Sequence, residues 1–138
     1  MMIRGLIFGA VALAMAGCAT GPQAAREFSD PAVQKLFTLP TPVYYATLKV
    51  ANTVAQNCAR YTYDGALDLL VNEKRNEVGR GSLSAMGLRD AIEVETDVAE
   101  RSFMAKHGVE LTGADLCAAA DAELLEGTAM SAVLVPVN

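Results

Sequence analysis

From Thr41 to about Val133 the apolar residues of the chain recur at the three-to-four spacing of amphipathic helices. All five prolines lie outside residues 43–135, at Pro22, Pro31, Pro40, Pro42 and Pro136. A helix interior excludes proline because it costs about 3 kcal/mol there, so the pattern predicts an all-α domain, a small bundle of about four helices. The first opens with Thr41 as N-cap and Pro42 at its first position, and carries Tyr44, Leu48, Ala51, Ala55 and Cys58 on one inward stripe. A second is expected from Asp64 to Val78, with Leu67, Leu70, Val71 and Val78 inward and Glu73, Lys74 and Arg75 outward; Tyr61-Thr62-Tyr63 before Asp64-Gly65 offers a hairpin as the alternative. Gly79-Arg80-Gly81-Ser82 reads as a turn, since its glycines lack the lysine that a phosphate loop requires.

The longest helix is expected from Ser84 to His107, stopped by a left-handed Gly108. At about 100° per residue, Leu88, Ala91, Ile92, Val94, Val98, Ala99, Phe103 and Ala105 form an apolar arc over about half the circumference. An arc that wide predicts neighbours on two sides and a central place in the bundle. Glu95 falls within it. A charge there must be paired or neutralised, so Glu95 is a candidate buried polar site, held by Arg60, Arg75, Lys106 or a tyrosine, or else lining a ligand cleft. Arg89, Asp90, Glu93, Asp97, Glu100 and Arg101 take the outer face. Thr112-Gly113-Ala114-Asp115 reads as a capping box for a last helix that runs through Cys117 and Leu124 to about Val133.

Upstream, Ala19 to Thr41 reads as a semi-extended tether with a short helical turn from Asp30-Pro31 to Phe37. Before it, Arg4 precedes an uncharged run of 13 residues, Gly5 to Gly17, long enough for a signal-peptide core and too short to span a bilayer. Met15-Ala16-Gly17-Cys18 resembles the lipobox of bacterial lipoproteins, with Met15 where Leu, Val or Ile is usual. That resemblance implies cleavage before Cys18 and acylation of its sulfur and new amino group. An ordinary cleaved secretory peptide is the alternative. The expected organisation is therefore a signal peptide at 1–17, a lipidated cysteine and tether at 18–41, and a helical domain at 42–138. Ala19 in place of Asp implies, by resemblance to Gram-negative sorting, an outer-membrane anchor facing the periplasm.

Charge narrows the partners. The chain has 11 basic and 16 acidic residues, a net −5, and loss of Arg4 with the signal makes the balance more negative. Such a surface suits neither nucleic acid nor anionic headgroups, so membrane attachment is expected to rest on the acyl chains. Two cysteines remain, Cys58 and Cys117, in a compartment where disulfides persist. Two buried thiols or a redox or metal pair are the alternatives, yet CxxC spacing is absent and there is a single histidine. A bridge closing 59 residues would contribute on the order of 4 kcal/mol in the chain-entropy account.

Asn57-Cys58, the run Lys106 to Leu111 and the run Asp115 to Leu124 give the chain, over residues 43–134, a layout that resembles a family of small exported two-cysteine helical proteins of alphaproteobacteria. Ala59 stands where many of those proteins have proline. The resemblance implies a helical fold and a disulfide, and it carries no activity.

Candidate chemistry is sparse. His107, the only histidine, reads as a feature of its helix end, and Ser82, Ser84 and Ser102 lie in no nucleophile-elbow pattern. Scattered carboxylates with one histidine have no metal-ligand spacing, so neither metal nor cofactor is expected. Glu93, Asp97 and Glu100 share a solvated face, and Tyr44, Tyr45, Tyr61 and Tyr63 read as core and rim packing. The expectation is a non-enzymatic, lipid-anchored envelope protein that binds another, unidentified envelope protein. The alternative is a periplasmic binding or chaperone-like module with an apolar groove. An enzyme would need a pocket gathering Glu95 or His107 with other polar groups.

Overall fold

The computed structural model describes residues 23–138, and its first helix, α1 (Pro31–Thr38), begins inside the stretch expected to be tether. Asp30 caps it, accepting from the amides of Ala32 at 2.8 Å and Val33 at 3.4 Å, and Pro31 follows where its missing N–H costs nothing. Ala32, Val33 and Leu36 are buried in the main core. The folded part therefore begins before residue 41, since Ala24 and Phe28 also pack against that core. Signal peptide and Cys18 lie outside the described residues.

The central element is α2 (Thr41–Gln56). It begins one residue earlier than expected, with Pro40 as N-cap and Pro42 in the first turn. Tyr44, Leu48 and Ala51 face inward as the stripe predicts, and Ala46, Val50 and Val54 are buried on a second flank. A helix covered on two flanks occupies the middle, which corrects the central place expected for the longest helix.

Next comes β1 (Tyr61–Tyr63), followed by α3 (Gly65–Glu77), with Asp64 between them capping the amide of Leu67 at 2.9 Å. The structure is therefore mostly helical without being all-α. The partner of β1 is not a neighbouring hairpin strand but β2 (Leu134–Pro136) near the far end of the chain, antiparallel, with Thr62 opposite Val135. The amide of Asp64 donating to Val133 O and that of Val137 donating to Arg60 O, both at 2.8 Å, extend the ladder at its two ends.

Beyond α3 the expected single helix is two, α4 (Ser82–Ala85) and α5 (Arg89–His107), separated at Gly87. Gly108 ends α5 in the left-handed conformation (φ 65°), its amide donating to Met104 O at 2.8 Å. The seam of α5 toward α2 comprises Ile92, Thr96, Ala99 and Phe103, of which Thr96 and Phe103 are fully buried. Val94 and Val98, both members of the expected arc, are 62% and 43% exposed. The core covers one edge of that arc only, because α5 lies along a single neighbour.

The last helix, α6 (Cys117–Glu126), starts later than the capping box proposed. Leu116 stands at the N-cap position, and Asp115 before it, not Thr112, accepts from the amide of Cys117 through Oδ1 at 2.9 Å. Gly127 stops it in the left-handed region (φ 64°), and a 3-10 turn, Met130–Val133, returns the chain to β2. Cys58 and Cys117 are disulfide-bonded with Cα atoms 4.9 Å apart, and beside them the amide of Leu116 donates to Asn57 O at 3.1 Å.

Candidate functional site

Three charged side chains are buried, Asp64, Arg75 and Glu123, and none of them is Glu95. That residue is half-buried at the rim of the α5 seam, and among the described residues no side chain pairs with it. The expected interior carboxylate is instead Glu123, which α6 places at 3% exposure. Its Oε1 accepts from Lys106 Nζ at 2.9 Å and lies 2.6 Å from His107 Nε2, and the Thr128 hydroxyl donates to its Oε2. Burial works to raise the Glu123 carboxyl, but Thr128, Lys106 and His107 together outweigh it and hold the group below the ordinary glutamate value. Lys106 also reaches Glu126 at 2.6 Å, and those two carboxylates, Glu126 foremost, raise its ammonium.

Gly108 alone makes the stop of α5. His107, read from the sequence as part of that stop, turns inward, packing its ring 4.6 Å from that of Phe103 and its Nε2 on Glu123. A cleft of about 190 Å³, walled by Thr47, Val50, Ala99, Ser102, Phe103 and Met130, opens beside Lys106 and Glu123. Here an ionised carboxylate is already saturated by three partners, and the one imidazole is engaged with it. The cluster ties the end of α5 to α6 and the turn after it, and it presents no free base to a substrate.

Arg75, expected to face outward, is wholly buried. Its Nη1 donates to the carbonyls of Phe37 at 2.6 Å and Leu39 at 2.8 Å, its Nη2 to Thr41 Oγ1 at 3.3 Å, and its guanidinium lies 4.2 Å above the Tyr44 ring. The side chain thus satisfies carbonyls at the corner where α1 turns into α2. Nearby, Asp68 accepts from the hydroxyls of Tyr44 at 3.1 Å and Tyr63 at 2.8 Å, while Tyr61 and Arg60 share Asp121 at 2.7 and 2.8 Å. Burial, reinforced by Asp68, pushes the Tyr44 and Tyr63 phenols far above their ordinary value, so both act as neutral donors. All four tyrosines are packing and hydrogen-bonding residues.

Among the described residues, the one group of three metal-capable side chains is Cys58, Cys117 and Asp115. Both sulfurs are committed to the disulfide, so neither is a thiolate ligand.

The fold leaves several large apolar side chains uncovered. Val78, Leu83, Met86, Leu88, Val94 and Val98 are all exposed between the end of α3 and the middle of α5, Leu83 and Met86 at 81% and 80%. An open cleft of about 470 Å³ beside Met86 is lined by Tyr45, Ser82, Ala85, Met86, Arg89 and Ile92. Arg89, which lines it, is exposed and without an ion-pair partner among the described residues. The sequence reading placed four of these six, Val78, Leu88, Val94 and Val98, on inward faces and did not single out Leu83 or Met86. Their helical spacing looks the same whether the face meets the protein's own interior or another surface. No helix of the described residues is long and apolar enough to cross a membrane. Compared with known proteins, the chain matches no protein-family model, no curated protein and no solved structure.

Proposed function

We propose that the protein is a lipid-anchored component of the cell envelope, attached through Cys18, that works by binding another envelope protein and catalyses no reaction. One observation carries the binding reading: six large apolar side chains stand exposed within residues 78–98 of a domain whose core is already built from other residues. Burial of a Val, Leu or Met side chain is worth about 1.5–3 kcal/mol, so a partner covering even half of this surface gains several kcal/mol. The saturated Glu123 cluster supports the same reading from the other side. The outer-membrane location rests on Ala19 and the lipobox-like residues.

Two measurements test it. Labelled palmitate should enter the wild-type protein and not Cys18→Ser, and equal labelling of both would sink the anchor. A photo-crosslinking residue at Leu83 or Val94, used in intact cells, should give one discrete adduct that is missing when the same residue replaces exposed Ala118 on α6. Adducts equally abundant at Ala118 would refute a dedicated contact surface. The open cleft beside Met86 favours a second reading, a chaperone-like module for unfolded clients, since methionine adapts to varied apolar shapes. That reading predicts a smear of adducts in place of one.

A further inference from the structure

We propose that the groove between α2 and α3 is a carbohydrate site that takes a short neutral glycan built of hexose or N-acetylhexosamine rings. The inference goes beyond the reading above and needs neither the anchor nor the protein contact. One wall is a face of α2, where Tyr45, Lys49 and Asn52 follow one another at helical spacing, and the other is α3, with Asp68, Leu69 and Asn72. Between them opens a hollow of about 480 Å³, the size of a small-ligand site, and Tyr63 and Ser82 share in its lining.

Phenols join the two walls. The Tyr45 hydroxyl donates to Asn72 Oδ1 at 3.3 Å, and those of Tyr44 and Tyr63 donate to the two oxygens of Asp68 at 3.1 and 2.8 Å. These bonds orient the polar groups without exhausting them. Each Asp68 oxygen keeps a second lone pair, and with Oδ1 of Asn72 engaged, the two N–H donors of that amide have no partner among the described residues. The side chain of Asn52, exposed on α2, has no hydrogen-bond partner among the described residues either. Lys49 reaches Glu100 only at 3.8 Å and stays 64% exposed.

The chemistry of the lining selects the ligand. One ammonium, Lys49, and one carboxylate, Asp68, are its only charged groups, so no net charge is present to hold a polyanion or a basic peptide. What remains is a set of donors and acceptors beside the partly buried rings of Tyr45 and Tyr63 and the exposed Leu69. A sugar ring matches both features. Each hydroxyl both donates and accepts, so it can give a hydrogen bond to Asp68 while taking one from Asn72 or Lys49, and the C–H face of the ring packs on a phenol or on Leu69. Because the tyrosines already hold Asp68 and Asn72 in place, binding immobilises little that was free before.

Full-length protein in phosphocholine micelles, followed by its amide NMR spectrum, is titrated with maltotriose and with the trimer of N-acetylglucosamine. At least one should bind with a Kd of about 1 mM or tighter and move the side-chain amide signals of Asn52 and Asn72. Asn52→Ala and Asn72→Ala should each weaken that binding about 3- to 10-fold, the effect of one lost hydrogen bond. Asn52→Ala removes no contact of the fold, so it decides the matter even if Asn72→Ala, which releases Tyr45, perturbs the structure. Absence of binding by both sugars at about 10 mM, or Asn52→Ala binding as the wild type does, would overturn the site. Hexalysine or a heparin-derived tetrasaccharide moving the same signals at lower concentration than either sugar would overturn the neutral-glycan class.

Discussion

Arg75 and Glu123 show what a single charged residue does in this interior. Each is buried and holds several hydrogen-bond partners, so removing it leaves partly buried groups without their partner. Arg75→Ala leaves the Phe37 and Leu39 carbonyls unpaired and uncovers the Tyr44 ring, and should cost about 3 kcal/mol in urea unfolding. Glu95→Ala, at a half-buried position with no partner among the described residues, should cost under about 0.5 kcal/mol in the same assay. Glu123 also sets a pH dependence. Its folded carboxyl titrates below the ordinary value of 4.5, so its contribution is complete above that pH and is lost as pH falls through the lowered value. The midpoint of unfolding should drop in this acid range, and Glu123→Gln should flatten that part of the profile; an unchanged slope would show that the carboxylate titrates alike in both states.

At the scale of elements, α5 separates helical periodicity from burial. Phe103→Ala removes a ring from the α2–α5 seam and should destabilise by about 3–5 kcal/mol, whereas Val98→Ala, on the outward stripe, should stay within about 0.5 kcal/mol. Comparable losses at the two sites would mean that the outward stripe is covered in the folded monomer. The helix ends follow local rules: left-handed glycines at 108 and 127, and Asp30 and Asp64 as caps, each satisfy backbone groups within a few residues. Gly108 was legible in the sequence for that reason. Thr112 was misread because Asp115 competes for the same cap from a position nearer the helix.

Across the whole molecule, the Cys58–Cys117 bridge joins the end of α2 to the start of α6 across 59 residues. Reduction should lower the unfolding free energy by about 4 kcal/mol if chain entropy dominates, read as a shift of the urea midpoint with reductant. Intact mass after alkylation, with and without prior reduction, should differ by two alkyl groups. The β1–β2 pairing closes the same circuit from the other direction, bringing Tyr61–Tyr63 against Leu134–Pro136.

From residues alone came the helical character, the starts of α1 near Asp30-Pro31 and of α3 near Asp64, the stop of α5 at Gly108, the inward stripe of α2 and the cysteine pairing, because each depends on neighbours within a turn or two, or on there being only two candidate partners. Tertiary structure alone decided which edge of a broad apolar arc would be buried, that Arg75 and His107 would turn inward, and that a three-residue strand would find its partner some seventy residues away. These outcomes depend on which surfaces meet in space. A helical wheel repeats its apolar positions without regard to what lies opposite, and a short strand carries no record of its distant partner.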